Sequence, residues 1–191
     1  MKIVDGEGSG AEVGVDSSHR MKALATNIPI SLDATVDARG YSINSGVIAL
    51  TSSTASGVLY YKHLEERPFI VQAALIGVSS AGTVTDVSTI TIIKNPTTGT
   101  LISGASAVAI NQNLDFSSSS ALSSSIAYKG AEGNTVTDGD DVAILFHPAG
   151  GRLTTQVWAK LTKGNSIAIK IDTNTSSGTT NVYAGIVGHL E

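Results

Sequence analysis

Asp141-Val142-Ala143-Ile144-Leu145-Phe146-His147 begins the part of the chain whose reading decides the fold, and segments further on, up to Leu190, repeat its pattern. Val142, Ile144 and Phe146 alternate with Ala143, Leu145 and His147. Leu153, Thr155, Val157, Ala159 and Leu161 then take one side of a segment whose other side is Thr154, Gln156, Trp158 and Lys160. Ile167, Ile169 and Ile171 alternate with Ala168, Lys170 and Asp172, and Val182, Ala184 and Ile186 close the series. A period of two puts successive side chains on opposite faces of a pleated ribbon. Each segment therefore reads as a β-strand with one buried face and one more polar face.

The same signal extends toward the N-terminus. Ile43 to Leu50 and Val58 to Lys62 read as strands joined by a turn over Thr51 to Gly57. Phe69 to Ser79, opened by Pro68, is almost entirely apolar or small, the composition of a strand buried on both faces. Ser80-Ala81-Gly82-Thr83 is a reversing loop, which makes Val87 to Lys94 the hairpin partner of that strand. Asn95-Pro96-Thr97-Thr98-Gly99 is a turn, Ala105 to Ile110 a weaker strand, and the run Ser117 to Ser125 a loop that crosses the sandwich or faces a neighbour. Asn134 to Asp140 is a further turn region. About eight strands with no βαβ alternation and no long helix specify an all-β fold. The expected architecture is an antiparallel β-sandwich, jelly-roll-like ahead of immunoglobulin-like.

Residues 1–40 differ from this body, which is expected to span 41–191. Gly6, Gly8, Gly10 and Gly14 lie among acidic residues, and Val15-Asp16-Ser17-Ser18-His19-Arg20 has little apolar periodicity. Such a stretch buries too little surface to offset its own ordering entropy, so it reads as an extended N-terminal arm that orders against a partner. Ile28, Ile30 and Leu32 suggest an extended path on which Pro29 disfavours a central strand.

Composition narrows the function classes. With no cysteine, the chain has no disulfide framework, thiolate metal site or cysteine nucleophile. A formal charge of -4 gives no basic footprint for phosphates, so direct nucleic-acid binding is not expected. No apolar run approaches the roughly 20 residues of a membrane helix, and the N-terminus has no basic segment followed by an apolar core. Neither a signal peptide nor a membrane anchor is expected. Ser and Thr supply roughly a quarter of the residues, a bias toward strands and turns.

The chemistry-bearing residues form no reaction centre by spacing. His19, His63, His147 and His189 are scattered, without the pairing of a metal site. Asp138-Gly139-Asp140-Asp141 lacks the calcium-loop spacing and reads as a tight turn held by aspartate hydrogen bonds. Glu65-Glu66 reads as a solvated loop rather than half of a glycosidase pair. Gly6-Glu7-Gly8-Ser9-Gly10 opens no helix and implies flexibility rather than phosphate binding, and Lys163-Gly164-Asn165-Ser166 is a hairpin turn. No G-x-S-x-G elbow is present, and Asn174-Thr175-Ser176 is only a formal glycosylation sequon. Tyr60, Tyr61 and Trp158 could serve as a sugar platform, against which stands packing in the core or at a subunit contact. No cofactor, metal or enzymatic activity is expected.

Asn95-Pro96-Thr97-Thr98-Gly99, the run Lys163-Gly164-Asn165-Ser166-Ile167-Ala168-Ile169, and Val182-Tyr183-Ala184 together resemble tailed-bacteriophage virion proteins. Val15-Asp16-Ser17-Ser18-His19-Arg20 resembles the short polar motif that starts many phage structural proteins. The resemblance implies a capsid decoration, or cement, protein: a β-sandwich, commonly homotrimeric, made in the host cytoplasm and bound to the major capsid protein on the outer surface of the virion. On that reading Val13, Val15, His19, Arg20, Met21 and Leu24 of the arm contact the capsid. Similar sandwiches occur in tail and fibre components, which makes a carbohydrate- or receptor-binding module the alternative.

Overall fold

The computed structural model describes residues 38–51, 54–79, 87–103, 108–148 and 151–191 in full, and the backbone of 3–4, 12–15, 21–22 and 83–84. The chain divides into two compact units, Met1–Ile30 and Ser31–Glu191. In the first, β1 (Ile3–Val4), β2 (Glu12–Val15) and β3 (Met21–Lys22) form a small antiparallel sheet in the order β1-β2-β3, with Ile3 opposite Val13 and Val15 opposite Met21.

The second unit is an antiparallel β-sandwich. One five-stranded sheet has the order β10 (Ile126–Lys129), β5 (Ser56–Lys62), β13 (Ser166–Asp172), β8 (Ser88–Lys94), β11 (Asp140–His147). The other runs β12 (Gly151–Leu161), β6 (Phe69–Val78), β15 (Thr180–Leu190), β4 (Gly40–Leu50), β9 (Ile110–Asn113). A two-stranded pair, β7 (Thr83–Val84) with β14 (Thr175–Ser177), and a single helical turn, α1 (Thr100–Ser103), complete the described elements.

Alternation placed the core as expected. Ile167, Ile169 and Ile171 of β13, with Ile90 and Ile92 of β8, meet Ile43, Ile76, Val182, Ala184 and Ile186 from the opposite sheet. The first sheet is also covered on its outer side. Leu101 of α1 and Val136 of the 130–139 connection, which runs from β10 at one edge to β11 at the other, bury Tyr60, Ile93 and Ala168. That cover explains why β5, β8 and β13 are buried on nearly every residue. The connection leaves β10 through Gly130, where an added Cβ would lie 1.8 Å from the Gly57 carbonyl oxygen, a spacing that only glycine permits.

Several expectations are corrected. Phe69–Val78 and Ser88–Lys94 are not a hairpin, because they belong to opposite sheets. Phe69–Val78 is buried on one face and half-buried on the other, so its small residues do not signal two covered faces. Lys163 to Ser166 is a turn, with Gly164 at φ 94° and Asn165 accepting hydrogen bonds from Thr162, but it carries the chain from β12 in one sheet to β13 in the other. Of the weak strand expected over Ala105 to Ile110, residues 105–107 lie outside the described residues, and the strand that forms is Ile110–Asn113. Two five-stranded sheets replace the roughly eight strands expected, because the short β9 and β10 carry too little periodicity to be read.

Ile169 is fully buried on the central strand β13, whereas Ile144 on β11 is largely exposed. Ile169→Ala should lower unfolding free energy by about 2–5 kcal/mol. Ile144→Ala should change it by less than about 0.5 kcal/mol when both are measured at concentrations where the protein is a single copy. Paired denaturant titrations of the two variants read this difference directly.

Candidate interaction surface

The two seams where the sheets meet edge to edge are unlike each other. At one seam, β9 and β10 approach closely: Val108 bridges to Tyr128, and the Ala109 N–H donates to the Ala127 carbonyl at 3.0 Å. The Ser-rich 117–125 loop crosses this seam and seats Leu122 in the core. Asn111 fixes the loop there, donating to the Leu122 carbonyl at 3.1 Å and accepting from its N–H at 3.4 Å. Asn113 adds a second hold, donating to Ser120 Oγ at 3.0 Å.

At the opposite seam lie β11 and β12, each bonded to a single neighbour among the described strands. They run antiparallel across the gap. Gly151 packs on the His147 ring at one end, and Val142 and Ala143 share a cleft with Thr155 to Leu161 at the other. The cleft, about 210 Å³, reaches the core residues Ile92 and Ile167. Beside it the expected polar face is absent. Val142 is 51% exposed, Ile144 54% and Phe146 68%, while the smaller Ala143 and Leu145 pack inward and His147 is buried. On β12 Trp158 is 63% exposed. It occupies a β-bulge between Gln156 and Ala159 with φ 48°, and its indole N–H donates to Gln156 Oε1 at 3.0 Å. Exposed apolar side chains gathered on an unpaired edge mark a contact surface.

The residues singled out by their chemistry hold turns instead. Asp138 accepts from the Thr97 N–H at 2.8 Å, the Thr98 N–H at 2.9 Å and the Thr97 hydroxyl, clamping the 95–99 turn to the start of β11. Those bonds, led by the Thr97 hydroxyl, hold its carboxyl down at about 2. Asp140 and Asp141 stand exposed on β11, Asp140 opposite Lys94. Glu65 is more than a solvated loop residue, since its Oε1 accepts from the backbone N–H groups of Ser124 and Ser125 at 2.9 and 3.2 Å. Glu66 pairs with Lys163 at the surface.

The histidines are dispersed. His63 is buried, its Nε2 donating to the Arg67 carbonyl at 2.7 Å and its Nδ1 hydrogen-bonded to the Tyr61 hydroxyl at 2.8 Å. Burial pushes the Tyr61 hydroxyl above its usual range. His189 is mostly buried, and loss of solvation lowers its pKa. Among the described residues no three of His, Asp or Glu come together to hold a metal ion.

Tyr60 and Tyr61 are core residues, Tyr60 stacked on Tyr128 at 6.1 Å, so of the aromatic trio Trp158 alone faces solvent. Val13 and Val15 lie on β2 and Met21 on β3, and the register sets Val15 opposite Met21. His19, Arg20 and Leu24 lie outside the described residues, as does the 6–10 glycine run.

Comparison with protein-family models, curated proteins and solved structures finds no match to this chain. Among the described residues no helix is long and apolar enough to cross a membrane.

Asp138 has a folded pKa below its unfolded value, so its contribution to stability is complete above about pH 4 and is lost as pH falls through about 2. Asp138→Asn should therefore lower Tm at pH 6, and its melting curve should converge with the unsubstituted protein's as both are brought toward pH 2.

Proposed function

We propose that this protein is a non-enzymatic structural component of a tailed-phage virion that binds the outside of the capsid as a decoration protein. The observation that carries the reading is the exposed apolar edge of Val142, Ile144, Phe146 and Trp158 on a sandwich whose carboxylates Asp138 and Glu65 are committed to turns. Such a molecule acts by contact. The resemblance of the Asn95 to Gly99, Lys163 to Ile169 and Val15 to Arg20 segments to phage virion proteins supplies the setting.

In this reading the unit Met1–Ile30 contacts the major capsid protein, through Val13, Val15, His19, Arg20, Met21 and Leu24, and Ser31–Glu191 is the repeated body of a homotrimer. An interface of roughly 800 Å² per partner repeated three times binds a lattice tightly, because the second and third contacts form at high effective concentration. The exposed Trp158 favours a second reading, in which a tail- or fibre-borne sandwich binds surface carbohydrate.

Removing residues 1–30 should leave a protein that melts cooperatively yet no longer co-sediments with mature heads. Undiminished co-sedimentation by the folded truncation rejects the assignment of capsid contact to that unit. For the second reading, glycan-array binding abolished by Trp158→Ala, with immunogold label at the tail tip rather than the head, would replace decoration with receptor binding.

A further inference from the structure

We propose that the open seam is a self-association surface, in which β11 of one copy pairs antiparallel with β12 of a second copy about an axis parallel to the strands. The inference names the partner of the apolar edge on which the proposed function rests.

Two features select a second copy. The first is charge. Strand β11 begins with Asp140 and Asp141 and carries no Lys or Arg, whereas β12 carries Arg152 and Lys160 and no carboxylate. An acidic edge and a basic edge lie side by side on one molecule, so each finds its complement on another copy. The second is register. Antiparallel alignment that sets Asp140 opposite Lys160 also sets Val142 opposite Trp158 and Phe146 opposite Thr154, and all six of these side chains are exposed. One alignment thus matches the charges, covers the apolar row and keeps every exposed residue on the same face of the joined sheet.

Pairing β12 with its own equivalent does worse. An antiparallel β12 to β12 contact through the centre of that strand would set Arg152 opposite Lys160, two like charges in direct apposition. The bulges agree with the mixed pairing. Strand β11 breaks register between Asp141 and Ala143, and β12 between Gln156 and Ala159, so the two irregularities meet at the Val142 and Trp158 level. There the ladder is interrupted and side-chain packing carries the contact. Lys160 is already beside Glu191 at the surface, an exposed pair worth little by itself, so it can share its charge with an incoming Asp140. Repeated about the axis, the contact uses both edges of every copy and leaves none open.

Light scattering of the purified full-length protein tests this without phage heads, so its failure and a failure of head binding are separate results. The unsubstituted protein should show a multiple of the single-chain mass, and Ile144→Lys combined with Phe146→Lys should reduce it to one chain while circular dichroism stays close to that of the parent and melting remains cooperative. Asp140→Lys alone and Lys160→Glu alone should each weaken association about tenfold, and the two together should restore it. A single-chain mass for the unsubstituted protein at all concentrations would mean that the bulges serve to keep the edges apart, and the proposal fails. It fails equally if an oligomer persists in the Ile144→Lys, Phe146→Lys variant, or if the double charge exchange restores nothing.

Discussion

Burial of apolar surface between two facing sheets is the constraint on which the molecule depends. Removing such surface from water is worth about 25 cal/mol per Å², and a pleated sheet offers only one inner face for that burial. Ile90, Ile92, Ile169 and Ile171 from one sheet fill the layer against Ile43, Ile76 and Ile186 from the other. Everything else deals with what this arrangement leaves open: two outer faces and two seams. The outer face of the sheet containing β13 is covered by Leu101 and Val136. One seam is plugged by Leu122, with Asn111 holding the plug through its main chain. The other seam keeps its cleft and its exposed apolar edge.

The strands of the sandwich were legible wherever one face was plainly apolar. Ile167, Ile169 and Ile171 announce an inner face because Lys170 and Asp172 stand on the other side. Which strand pairs with which was not legible, since period-two alternation assigns a face and says nothing about a neighbour. Hence Phe69–Val78 and Ser88–Lys94 read as a hairpin although the chain passes between sheets there. The exposed edge was hidden for a related reason. In β11 both alternating sets contain large apolar residues, Val142, Ile144 and Phe146 against Leu145, so nothing local says which set faces water. Asp138 was readable as a turn residue because an aspartate before glycine at a strand start has few other uses. That it reaches across to Thr97 and Thr98 depends on tertiary proximity.

The side chains with chemical potential and the exposed apolar ones are separated in this fold. Asp138, Glu65 and His63 each accept or donate hydrogen bonds that fix a loop, which spends their reactivity on geometry. The exposed apolar residues, in contrast, sit on strands whose backbones are held by the sandwich. On the proposed reading, a surface carried on paired strands meets its partner at little ordering cost.

The winding of the sheets also sets when the molecule can first exist. Strand β15 lies between β6 and β4, with Gly188 opposite Tyr41, and β13 lies between β5 and β8. The middle of each layer is therefore translated long after the strands that flank it. At ribosomal speeds those earlier strands wait on the order of ten seconds without their neighbours, with ladder groups and isoleucine faces uncovered. The sandwich therefore cannot close until β15 has been made, and each flanking strand stays without its middle neighbour for that interval.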